Sequence, residues 1–135
     1  MDTMAEKPQM KTINRLIDRA KHDHEILAVV LFGSAARGEH SRDSDVDVCL
    51  ILNLSSYSPL SLSQKKLDYL TEAKVDIQIF QQLPIYIRTR VLKDGQVLFC
   101  RDEELLYKVA FRTIREFNDF EPFYRAYLRE VADAG

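Results

Sequence analysis

Residues 26–52 decide the fold and read ILAVVLFGSAARGEHSRDSDVDVCLIL. Two apolar runs of strand length, 26–32 and 46–52, enclose a polar stretch that begins with Gly33 and Ser34. Short apolar runs rich in β-branched residues and bounded by turn residues are typical of buried strands. This segment therefore predicts two strands of one sheet, with a polar connection leaving the end of the first strand.

The flanking sequence adds helices and two further strands. Residues 10–20 carry apolar side chains at helical spacing among charged ones, which predicts an amphipathic first helix. The remaining predicted elements are a serine-rich loop over 53–63, a helix around 62–73, a strand over 75–80, a helix from Pro84 to 94, a strand over 96–100 and a helical segment over about 103–132. Strands alternating with helices predict an α/β (α+β) fold, with a small mixed sheet flanked by helices, in a single domain over 1–135.

Length and composition narrow the class of protein. The 135 residues, 46% of them hydrophobic, suffice for one core, and a net charge of −2 argues against direct nucleic-acid binding through a broad basic surface. Cys49 and Cys100 lie in apolar stretches without metal-ligand spacing, so we expect buried free thiols. No apolar run reaches the roughly 18 residues of a membrane span. We expect a cytoplasmic protein without membrane contact.

Gly33 and Ser34 are candidates for binding phosphate. A glycine at the end of a buried strand lets the backbone turn tightly and approach a ligand, and Ser34 offers a hydroxyl and a free amide. Arg37 is a candidate for a further phosphate contact. The alternative is that Gly33-Ser34 forms an ordinary turn and that Arg37 is only solvated.

Three aspartates form a candidate catalytic and metal site. Asp45 and Asp47 alternate at the start of the second strand, so both carboxylates point to one face. Asp76 is the only acid in the third predicted strand. Three carboxylates beside a phosphate site could hold two Mg²⁺ ions for in-line displacement. Alternatively, Asp45 and Asp47 cap the strand or pair with nearby arginines, and Asp76 pairs with Lys74.

Gly33-Ser34, ten intervening residues and Asp45-Val46-Asp47 resemble the signature of the DNA polymerase beta nucleotidyltransferase superfamily. The motifs at 34–38 and 44–47 are similar to those of the minimal nucleotidyltransferase (MNT) antitoxins of HEPN/MNT toxin–antitoxin pairs. The resemblance implies that Gly33 and Ser34 bind the phosphates of ATP and that Asp45, Asp47 and Asp76 bind magnesium. It also implies transfer of AMP to a tyrosine hydroxyl of a cognate HEPN ribonuclease toxin, which is silenced within a hetero-oligomeric complex.

Two other functions stay open. One is a small-molecule nucleotidyltransferase that resembles the aminoglycoside-modifying enzymes, although those usually carry an additional helical domain. The other is a non-catalytic antitoxin that acts by binding alone. The aromatic C-terminal segment also permits two interpretations, core packing or partner docking, with Phe117, Phe120 and Phe123 near the boundary.

Overall fold

The computed structural model describes residues 8–33, 46–53, 56–70 and 75–134. In chain order the elements are α1 (Pro8–Lys21), β1 (Ile26–Phe32), β2 (Val46–Leu52), α2 (Pro59–Asp68), β3 (Val75–Ile79), α3 (Ile85–Asp94), β4 (Gln96–Cys100) and α4 (Glu103–Ala134). A 3₁₀ turn over Phe80–Gln82 joins β3 to α3. No helix within these described ranges is both long and apolar enough to cross a membrane.

The four strands form one mixed sheet in the order β3-β2-β1-β4. Strand β1 is antiparallel to both of its neighbours, β2 and β4, whereas β2 and β3 run parallel. The predicted fold class, a small mixed sheet flanked by helices, is confirmed. Since β1 is antiparallel to β2, and β2 is parallel to β3, both β2 and β3 begin at the end of the sheet where β1 finishes.

Each face of the sheet carries its own apolar core, because side chains alternate along a strand. On one face, α1 and α2 cover β-strand residues that include Val48, Leu50 and Ile77. On the other face, α3 and α4 cover Val30 and Ile51, among others. The sheet therefore lies between two helical layers, with β4 as its most exposed strand.

Three predicted boundaries are wrong, namely both ends of α2 and the end of β3. Helix α2 begins at Pro59 and ends at Asp68, whereas we predicted a loop to residue 63 and a helix to residue 73. Ser58 is the reason for the early start: its side chain and that of Ser61 accept hydrogen bonds from each other's backbone N–H, and Pro59 fits the first helical turn. Strand β3 ends at Ile79 rather than at Phe80, which opens the 3₁₀ turn.

Arg101 ties three elements together just after β4. Its Nε donates to the carbonyl oxygen of Ile26 at 2.9 Å. Its Nη2 donates to the carbonyl oxygens of Ala20 at 2.6 Å and of Asp23 at 3.1 Å. One guanidinium thus adds hydrogen bonds to carbonyls at the end of α1 and in the turn that follows, and fixes them to the start of β1.

A polar cluster joins the turn after α1 to α2, and its contribution to stability depends on pH. Tyr69 Oη donates to Asp23 Oδ2 at 2.7 Å, and Lys65 Nζ lies 3.1 Å from the same oxygen. Burial raises the pKa of Asp23, but the hydrogen bonds from Tyr69 and Lys65 outweigh it, so the pKa lies below its ordinary value. The ionised carboxylate therefore stabilises the fold.

We expect Tyr69→Phe to lower the free energy of unfolding by about 1 to 2 kcal/mol at neutral pH, since it removes one charged hydrogen bond and keeps the buried ring. A carboxyl whose pKa is depressed in the folded state stabilises above its unfolded pKa, about 3.9, and loses this contribution as pH falls through the folded value. Urea unfolding between pH 7 and pH 2 measures the effect. A destabilisation that stays constant over this range would contradict the role of the ionised Asp23.

Candidate functional site

Asp47 lies at the end of the sheet where β1 finishes and β2 begins. It is the second residue of β2, half-buried, and its Cα pairs with Phe32 on one side and with Asp76 on the other. Its neighbours Val46 and Val48 belong to the core under α1 and α2. Alternation along the strand therefore places Asp47 on the opposite face, together with Cys49 and Ile51.

Asp76 lies directly beside Asp47 on the next strand. The two residues are register partners in the parallel pair β2–β3, so their side chains share one face on strands about 4.8 Å apart. Two carboxylates at this spacing repel each other, and a cation between them relieves the repulsion. The structure therefore brings together two of the three predicted carboxylates, which come from segments far apart in the sequence.

Gly33 closes the site from the end of β1. Its φ of +77° is a conformation that L side chains rarely adopt, and a Cβ built on it would collide with Asp47 Oδ2 and lie 3.2 Å from Asp47 Cγ. The backbone of the turn thus presses against the carboxylate. Only glycine satisfies both the backbone conformation and the close approach.

The other predicted site residues, Ser34, Arg37 and Asp45, lie outside the described residues. Within the described part of the chain, no group of three His, Cys, Asp or Glu side chains could hold a metal ion. Asp47 and Asp76 nevertheless supply carboxylate oxygens, the ligands that Mg²⁺ prefers, and Mg²⁺ is usually bound by one or two carboxylates together with substrate phosphates. The pair therefore fits a magnesium ion.

Two further side chains lie on this face. Gln78 Nε2 donates to Asp76 Oδ2 at 3.0 Å, a contact that we did not predict. The sequence did contain a signal for this contact: Gln78 follows Asp76 by two residues in a strand, and such residues share a face. Cys49 is a buried free thiol, as predicted, whereas Cys100 is free but only half-buried. Burial raises the pKa of Cys49, so the thiol is neutral and a poor nucleophile.

The sheet, with its paired aspartates next to a glycine turn, is the framework of a nucleotidyltransferase. Residues 14–104 match the family described as polymerase beta, nucleotidyltransferase, and the chain belongs to this family. A Methanocaldococcus jannaschii protein to which protein adenylyltransferase activity is ascribed is 33% identical over 82 residues, which cover 60% of this chain and 62% of that protein. The chain thus matches less than two thirds of the length of this relative.

Two solved structures share the fold. A chain of a toxin–antitoxin crystallised with AMP-PNP is 19% identical, with a TM-score of 0.67 over 90% of this chain and 97% of that one. A chain of the tri-AMPylated Shewanella oneidensis HEPN toxin in complex with its MNT antitoxin is 16% identical, with a TM-score of 0.65 over 92% and 98%. At these identities the likeness shows the fold alone.

Proposed function

We propose that the protein is a magnesium-dependent protein adenylyltransferase that transfers AMP from ATP to a tyrosine hydroxyl of a cognate HEPN toxin and thereby neutralises it. The observation that carries the proposal is the in-register pair Asp47 and Asp76 beside Gly33, in a chain that belongs to the nucleotidyltransferase family. The activity ascribed to the M. jannaschii relative and the AMPylated toxin in the Shewanella complex support this acceptor class.

In this proposal Asp45, Asp47 and Asp76 hold two Mg²⁺ ions, while Gly33, Ser34 and Arg37 hold the phosphates of ATP. Bound magnesium would neutralise the triphosphate and lower the pKa of the attacking hydroxyl. The tyrosine oxygen forms a bond to the α-phosphorus, the bond from that phosphorus to the bridging oxygen breaks, and pyrophosphate leaves. Asp76 accepts the proton of the hydroxyl. Because such transfer depends mainly on positioning and electrostatics, the rigid strands that carry Asp47 and Asp76 suit it.

We further propose that the toxin docks on α4 and that residues 1–135 act as one domain in the cytoplasm. Phe117 and Phe120 of α4 are half-buried, and Phe120 stacks on Tyr124, which in turn stacks on Tyr86 of α3. Phe123 is 73% exposed and Tyr127 61% exposed, and both are spaced one helical turn apart. Exposed aromatic side chains of this kind are enriched at the energetic centres of protein interfaces.

We expect the double variant Phe123→Asp/Tyr127→Asp to weaken toxin binding at least about 30-fold, since loss of one aromatic anchor costs about 2 kcal/mol or more and the effects of two anchors do not simply add. Because both side chains are exposed, thermal stability should change little. Tyr57→Asp is the matched control, since Tyr57 is 50% exposed and lies before α2. Calorimetric titration of the toxin measures all three proteins. Equal affinities for the double variant and wild type would remove α4 from the interface.

Labelled ATP tests the proposed activity directly. The purified protein is incubated with Mg²⁺ and α-labelled ATP, with and without the co-purified toxin, and intact masses of both chains are measured. One or more added AMP units on the toxin would support the proposal. A tight complex without transfer would indicate an antitoxin that acts by binding alone. A parallel reaction with an aminoglycoside in place of the toxin tests the other alternative, which label on that compound but not on the toxin would indicate.

A further inference from the structure

Gln78 lies between the aspartate pair, Asp47 and Asp76, and the apolar core beneath α3 and α4. It follows Asp76 by two residues on β3, and its amide Nε2 donates to Asp76 Oδ2 at 3.0 Å. Its register partner on β2 is Cys49, which is fully buried. Gln78 is itself half-buried, so its side chain lies between the carboxylate pair and the packed interior.

An amide at this place has a specific effect on the carboxylate. Its N–H donates to one oxygen of Asp76, which fixes the rotation of the carboxylate group and adds no charge to the site. A lysine or arginine could also donate, but its positive charge would compete with a cation for the same oxygens. The neutral donor leaves the negative charge of Asp47 and Asp76 available.

We propose that Gln78 is a positioning residue that holds Asp76 in the orientation needed to bind a divalent cation together with Asp47. This inference rests on the proposed function, because it assumes that the two aspartates are metal ligands. Hydrogen-bond partners that orient metal ligands typically change metal affinity by about 10- to 100-fold when they are removed. We expect a change near the lower end for Gln78, because the carboxylate itself remains.

Manganese binding to the full chain without nucleotide tests the proposal, with free Mn²⁺ measured by electron paramagnetic resonance. Gln78→Met keeps the length of the side chain and removes the donor. Gln82→Met is the matched control, because Gln82 donates to Ser63 Oγ on the exposed surface. We expect Gln78→Met to raise the Kd for Mn²⁺ about tenfold, while Gln82→Met keeps the wild-type Kd and both variants unfold at the wild-type temperature without metal.

The outcomes separate this inference from the proposed function. Wild-type Mn²⁺ affinity in Gln78→Met, with weakened binding in Asp76→Asn, would overturn the positioning role and keep the metal site. A Gln78→Met variant that loses affinity only because it unfolds at lower temperature would also overturn it. If the wild-type chain binds no Mn²⁺, or if Asp76→Asn binds as tightly as wild type, the metal assignment fails and the role of Gln78 fails with it.

Discussion

The double variant Asp47→Asn/Asp76→Asn should transfer AMP at least about 10³-fold more slowly than the wild-type protein. The proposed ions stabilise transition-state charge by several kcal/mol, and each 1.36 kcal/mol corresponds to a tenfold change in rate. The same two substitutions should not lower the thermal stability of the protein. Because the two carboxylates are register partners and repel each other, neutralising both should leave the melting temperature without Mg²⁺ unchanged or raise it.

The comparison requires single-turnover rates and melting temperatures with and without Mg²⁺. The wild-type protein should gain stability from Mg²⁺, and the double variant should not, because only a site that binds the ion shifts the unfolding equilibrium. Asp18→Asn is the control, since Asp18 is an exposed acid on α1, on the other face of the sheet. Retained transfer in the double variant would remove both aspartates from the catalytic site.

Gly33→Ala should reduce both activity and stability. The added methyl group would collide with Asp47 Oδ2, and the φ of +77° is strained for alanine, so we expect a loss of about 1 to 3 kcal/mol in the free energy of unfolding. Relief of the collision must move either the turn or the carboxylate. Displacement of a catalytic group by about 1 Å can cost about 10²-fold in rate, and we expect a loss of that order per folded molecule.

Gly95→Ala is the control that separates the loss of stability from the loss of catalytic rate. A Cβ on Gly95 would collide with Val91 O and Val30 Cγ1, so this variant should also be destabilised. None of those contacts involves Asp47 or Asp76. Below its melting temperature Gly95→Ala should therefore transfer AMP at nearly the wild-type rate. If Gly33→Ala also transfers AMP at nearly the wild-type rate below its melting temperature, the close approach of Gly33 to Asp47 has no catalytic importance.

Local patterns predicted most of the strands. The runs 26–32, 46–52 and 96–100 match β1, β2 and β4, because a buried strand needs consecutive apolar or alternating residues between turn residues. Helix α2 was misplaced because its start depends on a capping box formed by two serines, and a serine-rich segment also predicts a loop. Composition alone does not separate these two cases.

The carboxylate pair was only partly predictable. The sequence indicates that Asp47 and Asp76 each lie near the start of a strand, but their register depends on a parallel pairing between segments separated by α2. Such pairings are set by tertiary packing rather than by local sequence. The contact from Gln78 to Asp76, in contrast, lies within β3, where residues two apart share a face, so its signal is local.

The hydrogen bonds of the Arg101 guanidinium can form only late in the synthesis of the chain. The carbonyls of Ala20, Asp23 and Ile26 emerge from the ribosome long before residue 101, and β1 also gains its second neighbour only with β4. Before residues 96–100 are made, β1 lacks its β4 neighbour, and a strand with unpaired N–H and C=O groups is a template for pairing with other chains. Pairing of β4 therefore covers this side of β1 late in synthesis, and β4 then becomes the edge strand on that side of the sheet.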